Sequence, residues 1–381
     1  MPYHHHRNIQ HHPESLLTSL PGGGDEHDPM EVTGLDWEEI RQLAAQGNIS
    51  ELRSSASNRV WITTDRYCSV GDGVDVLEQY LHDLWHVYYE VGRYLSYKSP
   101  EHDSMVLDIL RIKGKGPLSR PARGILGVDV ARTRDGTLWN DLPFFVSDMV
   151  DFWVNGFVTM SVSQRVNLSN FLAKLASTRI CRDRLCQIAL FLFRVTLEDG
   201  GRDLRSEFDS DDEDPIRTIS KLTIATLLPA VHAWMDEAGG NLVQLADVSW
   251  NDCPNVMGRG GRAFKEWKVA QQPQSGFTPW RWIFWVKRLH EIKEEAAEAG
   301  DKKLEEDLAE TIERMLSHAE ERNSQVLRVY ENGPPALHED KHLRCLRKIL
   351  KRIKSEDDSD EEDGDETEKK SNGDGEEKED D

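Results

Sequence analysis

The segment from Leu138 to Glu198 constrains this chain more than any other. It reads W-N-D-L-P-F-F at Trp139 to Phe145, M-V-D-F-W at Met149 to Trp153, R-V-N-L-S-N-F-L-A-K-L-A at Arg165 to Ala176 and D-R-L-C-Q-I-A-L-F-L-F-R at Asp183 to Arg194. Apolar residues recur at three- and four-residue steps, the period of a helix with one buried face. A stretch this apolar has to be enclosed on several sides, so it demands a core of helices. It predicts helices over about 142–157, 161–178 and 182–198, the second capped by Ser161.

The same period continues on both sides. A helix from Val74 places Leu77, Leu81, Leu84, Trp85, Tyr88, Val91 and Leu95 along one face. Ser99-Pro100-Glu101 has the order of an N-cap, a first helical residue and a first-turn acid, and opens a helix that buries Met105, Val106 and Ile109. One or two short helices are expected over 36–56, and an extended piece over Arg59 to Thr64. Asp214-Pro215 is expected to start a further helix, which Gly239-Gly240 ends. Thr278-Pro279 opens another, and polar helical segments follow over about 301–330 and 338–354. Residues 114–137, with their Gly, Pro and Arg, form a surface loop. The fold class is therefore all-α: a single large irregular helical domain over 36–330, with no repeat of fixed period.

The ends differ from this body. Residues 1–35 are rich in His, Pro and Gly and read as a disordered arm. From Ser355 to Asp381 there are 16 acidic and 3 basic residues, which is −13 of the chain's −22 and leaves −9 for the rest. Such a tail has almost no apolar side chains to offset chain entropy. The moderate acidity of the body disfavours nucleic acid as its partner. Five cysteines, Cys68, Cys181, Cys186, Cys253 and Cys345, form no C-x-x-C pair and point to a reducing, intracellular compartment, cytoplasm or nucleus. No apolar run reaches the roughly 20 residues of a membrane span, and the N-terminus has no signal-peptide pattern.

Several strings together carry a resemblance. They are L-H-D-L-W at Leu81 to Trp85, W-N-D-L-P at Trp139 to Pro143, R-V-N-L-S-N-F-L-A-K-L-A at Arg165 to Ala176, L-L-P-A at Leu227 to Ala230, S-W-N-D-C-P at Ser249 to Pro254 and G-F-T-P-W-R-W-I-F-W at Gly276 to Trp285. Over about residues 74–292 the chain resembles a family of uncharacterised fungal proteins, domain of unknown function 3632. The resemblance implies a helical domain and carries no activity or catalytic residue with it.

Among candidate sites, Asn251-Asp252-Cys253 sets an amide, a carboxylate and a thiol on a loop. A cysteine nucleophile needs a base, for which His232 and His290 are nearest in sequence. The plainer reading is a turn in which Asp252 caps and Cys253 packs. Arg259, within G-R-G-G-R at Gly258 to Arg262, could hold an anion, although no G-K-S or G-K-T follows as in a phosphate loop. Trp280 and Trp282 could line a ligand pocket, while Trp282 and Trp285 share a face with Leu289 that suits a core. Asp141, Asp148 and Asp151 read as caps or as buried partners of Arg165, Arg182 or Arg184. Lys341 to Lys354 places Leu343, Leu346, Leu350 and Ile353 on one face and seven basic residues on the others. Arg347, Lys348, Lys351 and Arg352 on it are the expected partner-binding residues. Ser210, Ser355 and Ser359, each followed by acids, resemble kinase acceptor sites. No metal site and no cofactor are expected. The functional expectation is a non-enzymatic interaction or scaffold protein with a protein partner. The alternatives are an enzyme centred on Asp252 and Cys253, and a chromatin-associated protein acting through the basic helix and acidic tail.

Overall fold

The helical period of the sequence is realised as fifteen α-helices among the described residues. The structure, a computed structural model, describes residues 36–122, 124, 127–269 and 275–365. The histidine-rich arm and residues 366–381 of the acidic stretch lie outside the described residues.

In chain order the helices are α1 (Trp37–Ala45), α2 (Ile49–Asp65), α3 (Val74–Tyr94), α4 (Pro100–Gly114), α5 (Phe145–Gly156), α6 (Val162–Ser177), α7 (Cys186–Phe193), α8 (Ile224–Asp247), α9 (Asn255–Gly258), α10 (Arg262–Glu266), α11 (Pro279–Glu298), α12 (Lys302–Glu321), α13 (Gln325–Glu331), α14 (Pro335–Glu339) and α15 (Arg344–Asp365). Residues 66–70 and 194–198 add wider turns to the ends of α2 and α7. The core is organised on α6 and α8, which pack along each other. α3 lies against α6, and α11 and α12 lie against α8. Leu168, Phe171, Leu172 and Leu175 of α6 and Leu227, Val231, Trp234, Leu242 and Val243 of α8 are all buried. Gly92 of α3 permits the close approach to α6, since a Cβ there would stand 3.0 Å from the Phe171 ring. No helix among the described residues is long and apolar enough to cross a membrane.

Helix starts follow local chemistry. The Ser161 hydroxyl accepts from the Gln164 N–H at 3.1 Å, and the Gln164 side chain accepts from the Ser161 N–H at 2.9 Å, a closed capping box. Ser99 and Thr278 cap α4 and α11, each followed by proline at the first helical position.

Four expectations are corrected. Residues 59–64 are helical within α2, because Val60, Ile62 and Thr63 find buried positions there. The loop at 114–137 holds two small antiparallel hairpins, Ser119–Pro121 (β1) with Val128–Val130 (β2) and Arg132–Thr133 (β3) with Gly136–Thr137 (β4). α8 starts at Ile224 rather than Pro215. Thr223 and Thr226 form the capping box that begins it, and Ile219–Lys221 makes only a 3₁₀ turn. Gly239-Gly240 does not stop α8. Two glycines cost roughly 1 kcal/mol each in a helix, but Leu242, Val243, Leu245 and Ala246 are buried by continuing it to Asp247. The missing side chain at Gly239 also has a use. The His318 ring of α12 lies over it, its Nε2 2.9 Å from the Met235 carbonyl oxygen, and a Cβ at Gly239 would stand 2.2 Å from that ring.

The polar stretch 301–330 divides into α12 and α13 at Ser324. The Ser324 hydroxyl donates to the Asp247 carboxylate and accepts from the Val326 N–H at 3.1 Å. The basic segment packs through Leu343, Leu346 and Ile349, all buried, and its helix continues beyond Lys354 to Asp365.

Gly239→Ala is expected to destabilise the protein by about 1–3 kcal/mol through overpacking against His318, measured by urea denaturation. In a His318→Ala background the same change should be neutral or stabilising, because alanine is the better helix former and nothing opposes its methyl group.

Candidate functional site

A buried ion pair lies where three of the strings singled out in the sequence meet. Thr278 caps α11 by accepting from the Arg281 N–H at 3.1 Å, which fixes Arg281 in the first turn. Glu198 closes the wide turn after α7. Both side chains are 0% exposed. Arg281 Nε and Nη2 donate to the two carboxylate oxygens of Glu198 at 2.5 and 3.0 Å. Nη1 donates to the carbonyls of Gly258 at 2.7 Å and Gly276 at 2.8 Å, and Nη2 also to that of Arg259 at 3.2 Å. These contacts use all five N–H donors of a guanidinium. Glu198 accepts further from Trp285 Nε1 at 2.6 Å and from the Gly261 N–H at 2.7 Å.

This ion pair is the hub of the surrounding loops. The Phe277 N–H donates to the Trp250 carbonyl at 2.8 Å, the Gly276 N–H to that of Gly258 at 2.9 Å, and the Ser275 hydroxyl to Asn251 Oδ1 at 3.0 Å. Asn251 therefore ties one loop to the next. The G-R-G-G-R turn points its backbone inward: the Gly261 N–H meets Glu198, and the Arg259 carbonyl also accepts from Arg194 at 3.3 Å. The Arg259 residue is exposed, and Arg262 pairs with Glu266 at 2.9 Å. Trp282 is fully buried, while Trp280 is half-buried with its ring edge-on to Trp267 at 6.4 Å.

The structure does not bring the suggested nucleophile and base together. Asp252 is exposed and lies 3.4 Å from Arg184. Cys253 is half-buried beside Asn251, and burial pushes its thiol up. His232 stands 15 residues before the end of α8, about 22 Å along the helix axis. It borders a separate hollow of about 520 Å³ between α6, α8 and α12, with Nδ1 3.2 Å from the Thr311 hydroxyl and Nε2 3.7 Å from Glu310. His290 lies further along α11, and burial pushes it down.

Nor do the acids at 141–151 pair with Arg165. Asp148 sits 2.7 Å from His82 Nδ1, and burial pushes its carboxyl up to about 6 against the opposing influence of that ring. Asp141 accepts from the Thr137 N–H at 2.8 Å. On α15, Arg352 is paired with Glu320 and Arg347 donates to the His338 carbonyl, while Lys348 and Lys351 are exposed.

The sequence reading passed over a cleft of about 580 Å³ where the start of α6, the segment 203–222 and the start of α8 converge. That volume lies within the range of small-molecule sites. Arg165, fully buried, is one wall. Its Nη1 donates to the carbonyls of Phe157 at 3.0 Å and Met160 at 2.5 Å, and its Nη2 to that of Thr226 at 3.3 Å. Its Nε has no partner. Burial is the main cause that pushes Arg165 down to about 10, with Arg217 adding to it. The segment over the cleft is held in place. Thr223 Oγ1 donates to Asp209 at 2.8 Å, and Arg217 donates to the carbonyls of Met160 and Asp212, both at 2.8 Å. Nearby, the acids that follow Ser210 are held by two helices: Asp211 accepts from the Ser163 N–H of α6 at 2.8 Å, and Glu213 from Arg93 of α3 at 2.9 Å. The signal for this site was present in the sequence as an arginine inside a helix face that is otherwise apolar or small.

Comparison with known proteins places these features in a family. A profile described as a protein of unknown function (DUF3632) matches residues 85–289. A Penicillium oxalicum protein named oxopyrrolidines biosynthesis cluster protein G is 49% identical over 342 residues, which cover 90% of this chain and 95% of that protein. No solved structure matches the chain.

Glu198→Gln is expected to lower stability by about 3–5 kcal/mol, because it leaves the Arg281 charge buried and uncompensated. Trp285→Phe, which removes one hydrogen bond to that charged acceptor, should cost about 1.5–3 kcal/mol. Urea midpoints measure both. Thiol labelling at neutral pH should modify exposed Cys68 first and Cys253 more slowly. Half-buried Cys181, with its thiol pushed up to about 12, should react more slowly still, and buried Cys186 only on unfolding.

Proposed function

The chain belongs to the DUF3632 family, and from that premise we propose that it is a non-enzymatic intracellular interaction protein. It serves small-molecule biosynthesis of the kind that its Penicillium relative is named for, by holding a partner protein rather than by turning over a substrate. One observation carries this reading. The buried polar groups beside the Asn251-Asp252-Cys253 loop are spent on architecture. Arg281 gives every N–H to Glu198 and to the carbonyls of Gly258, Arg259 and Gly276, and Glu198 gives both oxygens to Arg281, the Trp285 indole and the Gly261 N–H. Saturated donors and acceptors hold a fixed shape, which is what a recognition surface needs. Asp252 and Cys253 sit on the outside of that knot, joined to Arg184 and Asn251, with the imidazole of His232 far along α8.

The test is complementation. A fungal strain deleted for this chain should lose or reduce the product of its biosynthetic cluster. The chain carrying Asp252→Asn, Cys253→Ala and His232→Ala together should restore the product to within about twofold, whereas removal of true catalytic groups lowers turnover about a thousandfold or more. Failure of the triple variant to restore product, with the protein present and folded, would turn the reading to an enzyme centred on that loop.

A further inference from the structure

The two fully buried arginines of the domain make an instructive pair. Arg281 presents one edge of its guanidinium, Nε and Nη2, to a carboxylate, and Glu198 fills it. Arg165 is equally buried, yet among the described residues no carboxylate forms an ion pair with it. Its Nη1 is saturated by two carbonyls and its Nη2 meets one. Nε, on the same edge that Arg281 uses, has no acceptor. A buried cation hydrogen-bonded only by neutral carbonyls carries a desolvation cost that the nearby charges of Asp211 and Asp209 offset only in part, and an unpartnered N–H adds to it. The side-on edge of a guanidinium matches the two oxygens of a planar carboxylate. Arg165 is among the residues that line a cleft of about 580 Å³.

We propose that this cleft is a binding site for a small organic monocarboxylate with an apolar body, its carboxylate gripped side-on by Arg165. The rest of the lining narrows the class. Arg217 and Lys221 supply positive charge, but Asp203, Asp209 and Asp214 balance it. A single negative charge held by Arg165 is tolerated there, whereas a doubly charged phosphate would meet three carboxylates. Phe208 lines the cleft while 84% exposed, and Ile216 (82%) and Ile219 flank lining residues in the same segment. A large apolar side chain such as Phe208, left open in the lining of a cleft, suits an apolar ligand body. The Thr223 and Thr226 hydroxyls at the start of α8 complete the floor. This site is separate from the partner-holding role and does not depend on it.

Three probes with one apolar body and different head groups test the proposal: 3-phenylpropionate, 3-phenylpropanamide and 2-phenylethyl phosphate, titrated into the full chain by calorimetry and ligand-observed NMR. Saturable binding of the carboxylate is expected, with the amide and the phosphate each at least about tenfold weaker. Arg165→Gln should weaken the carboxylate at least about tenfold. Phe208→Ala, at an exposed position where folding is not at stake, should weaken it severalfold. Absence of saturable carboxylate binding up to about 10 mM, equal binding of the amide, or unchanged affinity in folded Arg165→Gln would overturn the proposal. Tighter binding of the phosphate would overturn the assignment to a carboxylate, and unchanged affinity in Phe208→Ala the assignment of an apolar body.

Discussion

The buried pair of Glu198 and Arg281 is the interaction on which the second half of the domain depends. It joins the end of α7 to the start of α11 and fastens the end of α9, the turn after it and the residues just before α11 to both. Among the described residues between α8 and α11 the chain makes two very short helices, α9 and α10. A hydrophobic core could not order such a segment alone, because its backbone groups need partners once they leave water. The guanidinium supplies three of those partners and the carboxylate a fourth. Ion pairs inside proteins are worth having only when every remaining donor and acceptor is satisfied, and this one meets that condition.

Seen beside that pair, Arg165 stands out by what surrounds it. The two arginines share burial and carbonyl contacts, and they differ in the carboxylate. In one case the protein closes its own valence, and in the other the arginine lines a cleft built in part from the segment between α7 and α8. The acids of that segment are held by the start of α6 and by Arg93, so the cleft is framed by structure rather than left to a free loop. The helical scaffold thus uses one kind of side chain for two purposes, a structural knot and a recognition floor.

Much of the helical architecture was legible in the residues. Ser161 with Gln164, Ser99 with Pro100 and Thr278 with Pro279 carry their capping chemistry locally, so they act the same way in any context. The buried face of Trp282, Trp285 and Leu289 followed from spacing alone. The misreadings have a common cause. Gly239-Gly240 looks like a stop until His318, nearly eighty residues later in the chain, is laid over it. Residues 59–64 look extended until the packing of α2 gives Val60 and Ile62 a buried face. The cleft was not legible because its floor and its cover come from α6 and from a polar stretch that has no periodicity of its own.

The sequence by itself determined the class of fold, the helix starts and the faces that had to be buried, because hydrophobic period and capping act over a few residues. Only the tertiary structure decided which charges were satisfied. Glu198 and Arg281 are 83 positions apart, and His232 and Cys253 are only 21 apart yet held well away from each other. Electrostatic and hydrogen-bonding roles depend on distance in space and on burial, and neither is encoded at the range over which local patterns act.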